Sequence, residues 1–151
     1  MIYLQDIPKQ YTYCFAGKDL CPKAVTCLRA IAAQLLSDSR EKVTKKIISV
    51  VNPVYVARLS APGACTFYRD SEPVRFAKGM TRLFDNLPLK QAHAVRLHVM
   101  RCFSCESYFY HSRNGKRLIS PEEQKAILRA FSSADSTFVP EFDEYVYAIN
   151  W

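Results

Sequence analysis

Glycine is scarce in this chain: four residues in 151, with no clustered run. Loops that cradle phosphate need several glycines in one short turn, so a nucleotide-binding P-loop is excluded. No apolar run approaches the roughly 20 residues of a membrane-spanning helix. The opening Met1-Ile2-Tyr3-Leu4-Gln5-Asp6 has neither the basic start nor the long apolar stretch of a signal peptide. Gly-x-Ser-x-Gly, His-Glu-x-x-His and a carboxylate pair beside a histidine are all missing. Nothing in the spacing of His93, His98 or His111 recommends a cysteine nucleophile. Internal repeats, low-complexity tracts and an interdomain linker are lacking too. These absences point to a cytoplasmic protein with no membrane segment, no catalytic residues and no enzymatic activity. In that compartment the six cysteines are thiols or metal ligands before they are a disulfide framework.

What the chain does have is core material and positive charge. Apolar residues make up 49% of it, and 151 residues suffice to bury a real core. The formal charge of +7 is unevenly placed. Residues 74–129 hold eleven Lys and Arg against four Asp and Glu, whereas residues 130–151 hold four acidic residues and no Lys or Arg. A basic middle with an acidic tail is either a face for nucleic acid or two surfaces that attract one another.

Periodicity outlines the elements. Residues 1–20 read as an extended lead-in with a turn at Ala16-Gly17-Lys18-Asp19. From Pro22 to about Ser37, Val25, Leu28, Ile31, Ala32, Leu35 and Leu36 recur at helical spacing, with Lys23 and Arg29 towards water. Lys46 to Val51 reads as a strand stopped by Asn52-Pro53, with Val54-Tyr55-Val56 extending or pairing with it. Ser60 to Ala64 is a turn presenting Cys65. A helix from Pro73 to Asn86 and a second from Pro88 through Phe103 form a helical corner. Arg113-Asn114-Gly115 lies between Tyr108–Ser112 and Lys116–Ile119, which signals a β-hairpin. Ser120-Pro121-Glu122-Glu123 is a capping box opening a helix to about Phe131, and the aromatic tail from Phe138 to Trp151 packs back, in part as a strand. The expected fold is therefore α+β: one mostly helical domain over residues 1–151, with short strands and a hairpin near 108–119. Its cysteine-containing half is about 1–70 and its basic half about 71–151.

Three groups of side chains are candidates for function. Cys14, Cys21 and Cys27 fall within fourteen residues, and Cys65 is available as a fourth ligand. Four thiolates suit tetrahedral zinc or, alternatively, an iron–sulfur cluster, although the spacing is not that of paired Cys-x-x-Cys knuckles. The plain structural reading is that these are buried small apolar residues. A second set, His98, Cys102 and Cys105, shares one helical face, with His111 able to close it; the plainer reading there is a helix end with Phe103 inward. The other main group is the basic half. Arg96, Arg101, Tyr108, Tyr110, Arg113, Lys116 and Arg117 place stacking rings beside cations in an order similar to a winged helix, a nucleic-acid-binding arrangement. Its plain alternative is an ordinary solvated hairpin. Glu141, Asp143 and Glu144 read as solvated tail charges.

Taken together, Cys14, Cys21-Pro22-Lys23-Ala24, Cys27-Leu28-Arg29, Val51-Asn52-Pro53, Cys65-Thr66-Phe67-Tyr68-Arg69, Arg75 to Met80, Leu83 to Pro88, Asn114 to Arg117, Leu118, Ser120 to Gln124, Phe142 to Tyr145 and Trp151 carry a resemblance. The chain resembles an uncharacterised family of small bacterial proteins, a domain of unknown function. The resemblance implies one intact unit in which Cys14, Cys21, Cys27 and Cys65 belong together, and it brings no activity. Cys102 and Cys105 depart from the pattern. The functional expectation is a binding or regulatory module stapled by a cysteine-bound metal, with nucleic acid as the partner of its basic half. The alternatives are an iron–sulfur or redox protein, and a structural module that binds a protein partner through its aromatic tail.

Overall fold

The structure is a computed structural model describing residues 2–39, 47–59, 64–133 and 138–151. The chain divides into two compact units, Met1–Glu72 with Ile149–Trp151, and Pro73–Ala148. Among the described residues five α-helices accompany five short strands, so the fold class is α+β as the sequence implies.

In the first unit, a helix α1 (Leu28–Asp38) buries Leu28, Ala32 and Ala33 against Ile7, Tyr11 and Tyr13. Strand β1 (Thr12–Tyr13) pairs in parallel with β2 (Ser49–Val50). The helix begins six residues after Pro22, and the reason lies in tertiary pairing. Cys27 is extended and bridges Asp70, while the Leu28 N–H donates to the Arg69 carbonyl at 2.8 Å and Ser71 N–H to the Thr26 carbonyl at 2.9 Å. Backbone groups that a longer helix would need are committed to that ladder, so Pro22–Thr26 forms turns instead. Arg29 does not face water as its helical position suggests. Its guanidinium donates to the carbonyls of Thr12 and Phe67 at 2.8 and 2.9 Å and lies over the Tyr11 ring.

Asn52-Pro53 starts a helix as well as stopping a strand. The Asn52 side chain accepts the Val54 N–H at 2.9 Å, and Pro53 supplies the first position of α2 (Pro53–Ala57), so Val54–Val56 is helical where extended chain was expected. Lys46 and most of the Ser60–Ala64 turn lie outside the described residues. The chain's end belongs to this unit: Trp151 packs edge-on against Tyr11 at 5.2 Å between ring centres.

The second unit is built on β3 (Val74–Lys78), the middle strand of an antiparallel sheet ordered β4–β3–β5, with β4 at Leu118–Ile119 and β5 at Glu144–Ala148. Around it stand α3 (Leu89–Met100), α4 (Glu106–Arg113) and α5 (Pro121–Ser132). The core gathers Ala77, Met80, Val95, Val99, Phe109, Ile119, Ile127 and Phe131. The expected helix over residues 73–86 is thus a strand followed by turns. Ala77, Met80 and Leu83 are buried and Val74 and Phe84 half-buried, as a helix would also place them, but the backbone differs. Pairing partners on both sides of β3 satisfy its amides, and Gly79 at φ +78° ends it. Without a first helix, no helical corner precedes α3.

The expected hairpin near 108–119 is not there either. Tyr108–Ser112 lies in α4, and only Leu118–Ile119 is strand, paired with β3 and not with its own neighbour. A type I′ hairpin turn needs positive φ at both central residues. Here Asn114 sits at φ −86° and only Gly115 is positive, at +69°. The pair ends a helix: Asn114 N–H donates to Tyr110, Gly115 N–H to Ser112 and Lys116 N–H to His111. The capping box does form, with Ser120 and Glu123 exchanging side-chain and backbone bonds at 3.2 and 3.0 Å.

Asp143 locks the sheet's far corner. Its N–H donates to the Gly79 carbonyl at 3.1 Å, and its carboxylate accepts both the N–H and the hydroxyl of Thr81 at 2.9 Å. A Cβ on Gly79 would stand 2.6 Å from Asp143 Oδ2. Gly79→Ala is therefore expected to lower stability by about 2 kcal/mol, from left-handed strain and the displaced carboxylate, measured by urea unfolding.

Acid behaviour follows from the same contact. Burial pushes the Asp143 carboxyl up, but the N–H and hydroxyl of Thr81, the Arg82 N–H and the Arg82 guanidinium outweigh it and hold the group below the usual carboxylate range. A depressed folded pKa stabilises above the unfolded value of about 3.9 and loses that contribution as pH falls through the folded one. Asp143→Asn is expected to flatten the acid limb of stability below about pH 4, read from urea midpoints across pH.

Candidate functional sites

Cys14, Cys21, Cys27 and Cys65 all line one cavity of the first unit, of about 140 Å³. Three structural details bring residues so distant in sequence together. Cys14 follows β1 and its N–H donates to the Arg29 carbonyl at 3.0 Å. Cys21 closes a turn onto Gly17, and Cys27 is held by the bridge to Asp70. The rest of the wall is largely apolar, with Ala16, Val51, Val56 and Phe67 among its members. All six cysteines of the chain are free thiols. Burial pushes the Cys14 thiol up, an Ala16 backbone hydrogen bond opposes that, and the thiols of Cys27, Cys21 and Cys65 add to the rise. The neutral form is favoured there. Among the described residues, no three Cys, His, Asp or Glu side chains are gathered as ligands of a single ion. The four thiols thus share a chamber without, as placed, forming a tetrahedral set.

The His98, Cys102 and Cys105 set is dispersed. Cys102 Sγ donates to the His98 carbonyl at 3.5 Å, and Cys105 is the exposed residue preceding α4. Phe103 packs inward on Phe109, as the plainer reading has it.

In the second unit the residues expected to contact nucleic acid have three different fates. Arg117 is engaged: its guanidinium donates to both carboxylate oxygens of Glu123 at 3.0 and 2.8 Å and to the Ser112 hydroxyl at 3.1 Å, and lies over the Tyr108 ring. Arg96 donates to the Tyr110 hydroxyl at 3.3 Å and lies over the Phe109 and Tyr110 rings. Arg113 is half-buried, with a buried Nε that has no hydrogen-bond partner. Arg101 and Lys116 are exposed. Among the described residues the expected wing is absent, because Tyr108–Ser112, its first strand, lies in α4.

The sequence reading missed two cations. Lys125 and Arg129, four apart on α5, are exposed, and α5 packs beside α3, which carries Lys90 and leads to Arg101. Their signal was the polar face of the helix that the capping box announces. Lys90, Arg101, Lys116, Lys125 and Arg129 make no ion pair with a described residue. The acidic tail, by contrast, is not free: Lys78 pairs with Glu144 at 3.1 Å and Arg82 approaches Asp143 at 4.0 Å. Part of the charge asymmetry is therefore satisfied within the unit.

These two sites occur in an α+β protein whose described residues include no helix long and apolar enough to cross a membrane. The chain belongs to the Family of unknown function (DUF6078), whose family model matches residues 1–151. No curated protein and no solved structure matches it.

The engagement of Arg117 separates structure from binding. Arg117→Ala is expected to destabilise the protein by about 1–2 kcal/mol in urea unfolding, since it leaves Glu123 with a lost bidentate partner. The same substitution is expected to leave polyanion affinity within about twofold.

Proposed function

We propose that this protein is a non-enzymatic, cytoplasmic binding module whose second unit takes a polyanion, nucleic acid in the first instance. The observation that carries this reading is the set of exposed cations on and after α3 and along α5 that make no ion pair with a described residue, whereas Lys78, Arg82 and Arg117 are paired within the unit. Each such cation can neutralise a backbone phosphate and release a counterion, which is a binding force without sequence preference. Tyr108 and Tyr110 on α4 are exposed rings of the kind on which unpaired bases stack, which favours single strands.

A second reading concerns the cysteines. Their common cavity supports a metal staple, zinc or alternatively an iron–sulfur cluster, held by Cys14, Cys21, Cys27 and Cys65. Loading it requires the four side chains to turn towards one point and lose their protons. Elemental analysis of freshly, anaerobically purified protein separates the versions: iron with sulfide for a redox protein, zinc for a staple, neither for plain thiols.

The polyanion reading is tested by gel shift against single and duplex strands at two salt concentrations. Arg101→Ala, Lys125→Ala and Arg129→Ala combined are expected to weaken binding at least about tenfold at low salt and to reduce the log–log salt slope by about 2–3. Absence of binding at low salt, or an unchanged slope, contradicts it.

A further inference from the structure

The first unit's cavity has a wall chemistry that a metal staple does not need. Ala16, Leu20, Val51, Val56, Leu59 and Phe67 give it an apolar interior, and thiols behave as small soft apolar groups there. Its volume of about 140 Å³ is close to the roughly 150 Å³ that holds benzene in an enclosed apolar cavity, and it opens to solvent beside Leu20 and Phe67, which are exposed. Among the described residues, the charged ones on its wall are Lys23 and Arg29, and no acidic one lines it. Arg29 is committed to two carbonyls and the Tyr11 ring. Lys23 is not: its ammonium rests 4.7 Å from the centre of the Tyr68 ring and pairs with no described carboxylate. A cation beside an apolar chamber selects a ligand with an apolar body and one negative end.

We propose that this cavity binds a small apolar carboxylic acid of benzoate size, with the ring or branched chain among Val51, Val56, Phe67 and the four thiols and the carboxylate on the Lys23 ammonium. Phosphates and sugars do not suit it, because their several polar groups would be buried against apolar wall without partners. Binding covers the thiols. The site therefore also shields Cys14, Cys21 and Cys65 from alkylation while occupied.

Benzoate and its neutral counterpart toluene are the probes, titrated into the full chain. Benzoate is expected to shift amide resonances of cavity residues saturably, with a dissociation constant of about 1 mM or tighter. It is also expected to slow iodoacetamide labelling of Cys14, Cys21 and Cys65 by several-fold, read by mass spectrometry, and to leave Cys105 unchanged. Lys23→Met should weaken benzoate about fivefold to tenfold and leave toluene unaffected. Val56→Phe, or Ala30→Leu if that variant does not fold, should abolish both. The proposal is overturned by the absence of saturable benzoate binding, by toluene binding where benzoate does not, or by equal benzoate affinity in Lys23→Met. Stoichiometric zinc in the protein as purified overturns it as well, because the cavity would then be occupied.

Discussion

The strand Val74–Lys78 has partners on both sides, and the second unit depends on that. One edge meets only two residues of β4, the other all five of β5, which arrives from the far end of the sequence. Phe76 and Ala77 at the strand's middle are both buried, with Ala77 paired to Ile119 in the core, while Arg75 on the exposed end lies over the Tyr145 ring. The crossing at Gly79 fixes the ladder's end. A left-handed residue with no Cβ lets the Asp143 carboxylate come close enough to hold Thr81. Both directions of the chain, out of β3 and into β5, are set by that contact.

The same physics accounts for what was legible in the sequence. Ser120-Pro121-Glu122-Glu123 was read correctly because a capping box is a local device, complete within four residues. Val95 and Val99, at helical spacing on α3, are buried, whereas Leu89 at its start is 92% exposed. Val74–Lys78 was not, because Val-Arg-Phe-Ala-Lys serves either period over so short a run, and only partners 40 and more residues away choose between them. Asn114-Gly115 misled for a related reason. Positive φ suits a hairpin turn and a helix end equally, and what decides is that Phe109 and Ser112 are buried on one helical face. Cys27 is a similar case, since a bridge to Asp70 holds it extended within a run whose apolar spacing is helical.

The sites divide along the same line. The thiol group of the first unit was visible in the sequence as residue types, and its placement on a single cavity is a product of the fold; neither alone says what the cavity holds. The basic surface was visible as charge, but charge does not distinguish cations that bind from cations that brace. Arg117, clamped on Glu123, and Lys78, paired with Glu144, brace. Lys125 and Arg129 stand clear. Membership of a family of unknown function adds no chemistry to either site.

Hydrogen exchange on the native protein tests the central claim most directly, namely that Val74–Lys78 is the doubly paired strand on which the second unit is built. Those amides of Val74–Lys78 and Glu144–Ala148 that donate across the ladder are expected to be among the slowest in the unit and to share one opening free energy, because breaking either strand breaks the ladder. Continuous helical protection from residue 74 to 86, or free exchange over 144–148 beside a protected 74–78, would contradict it.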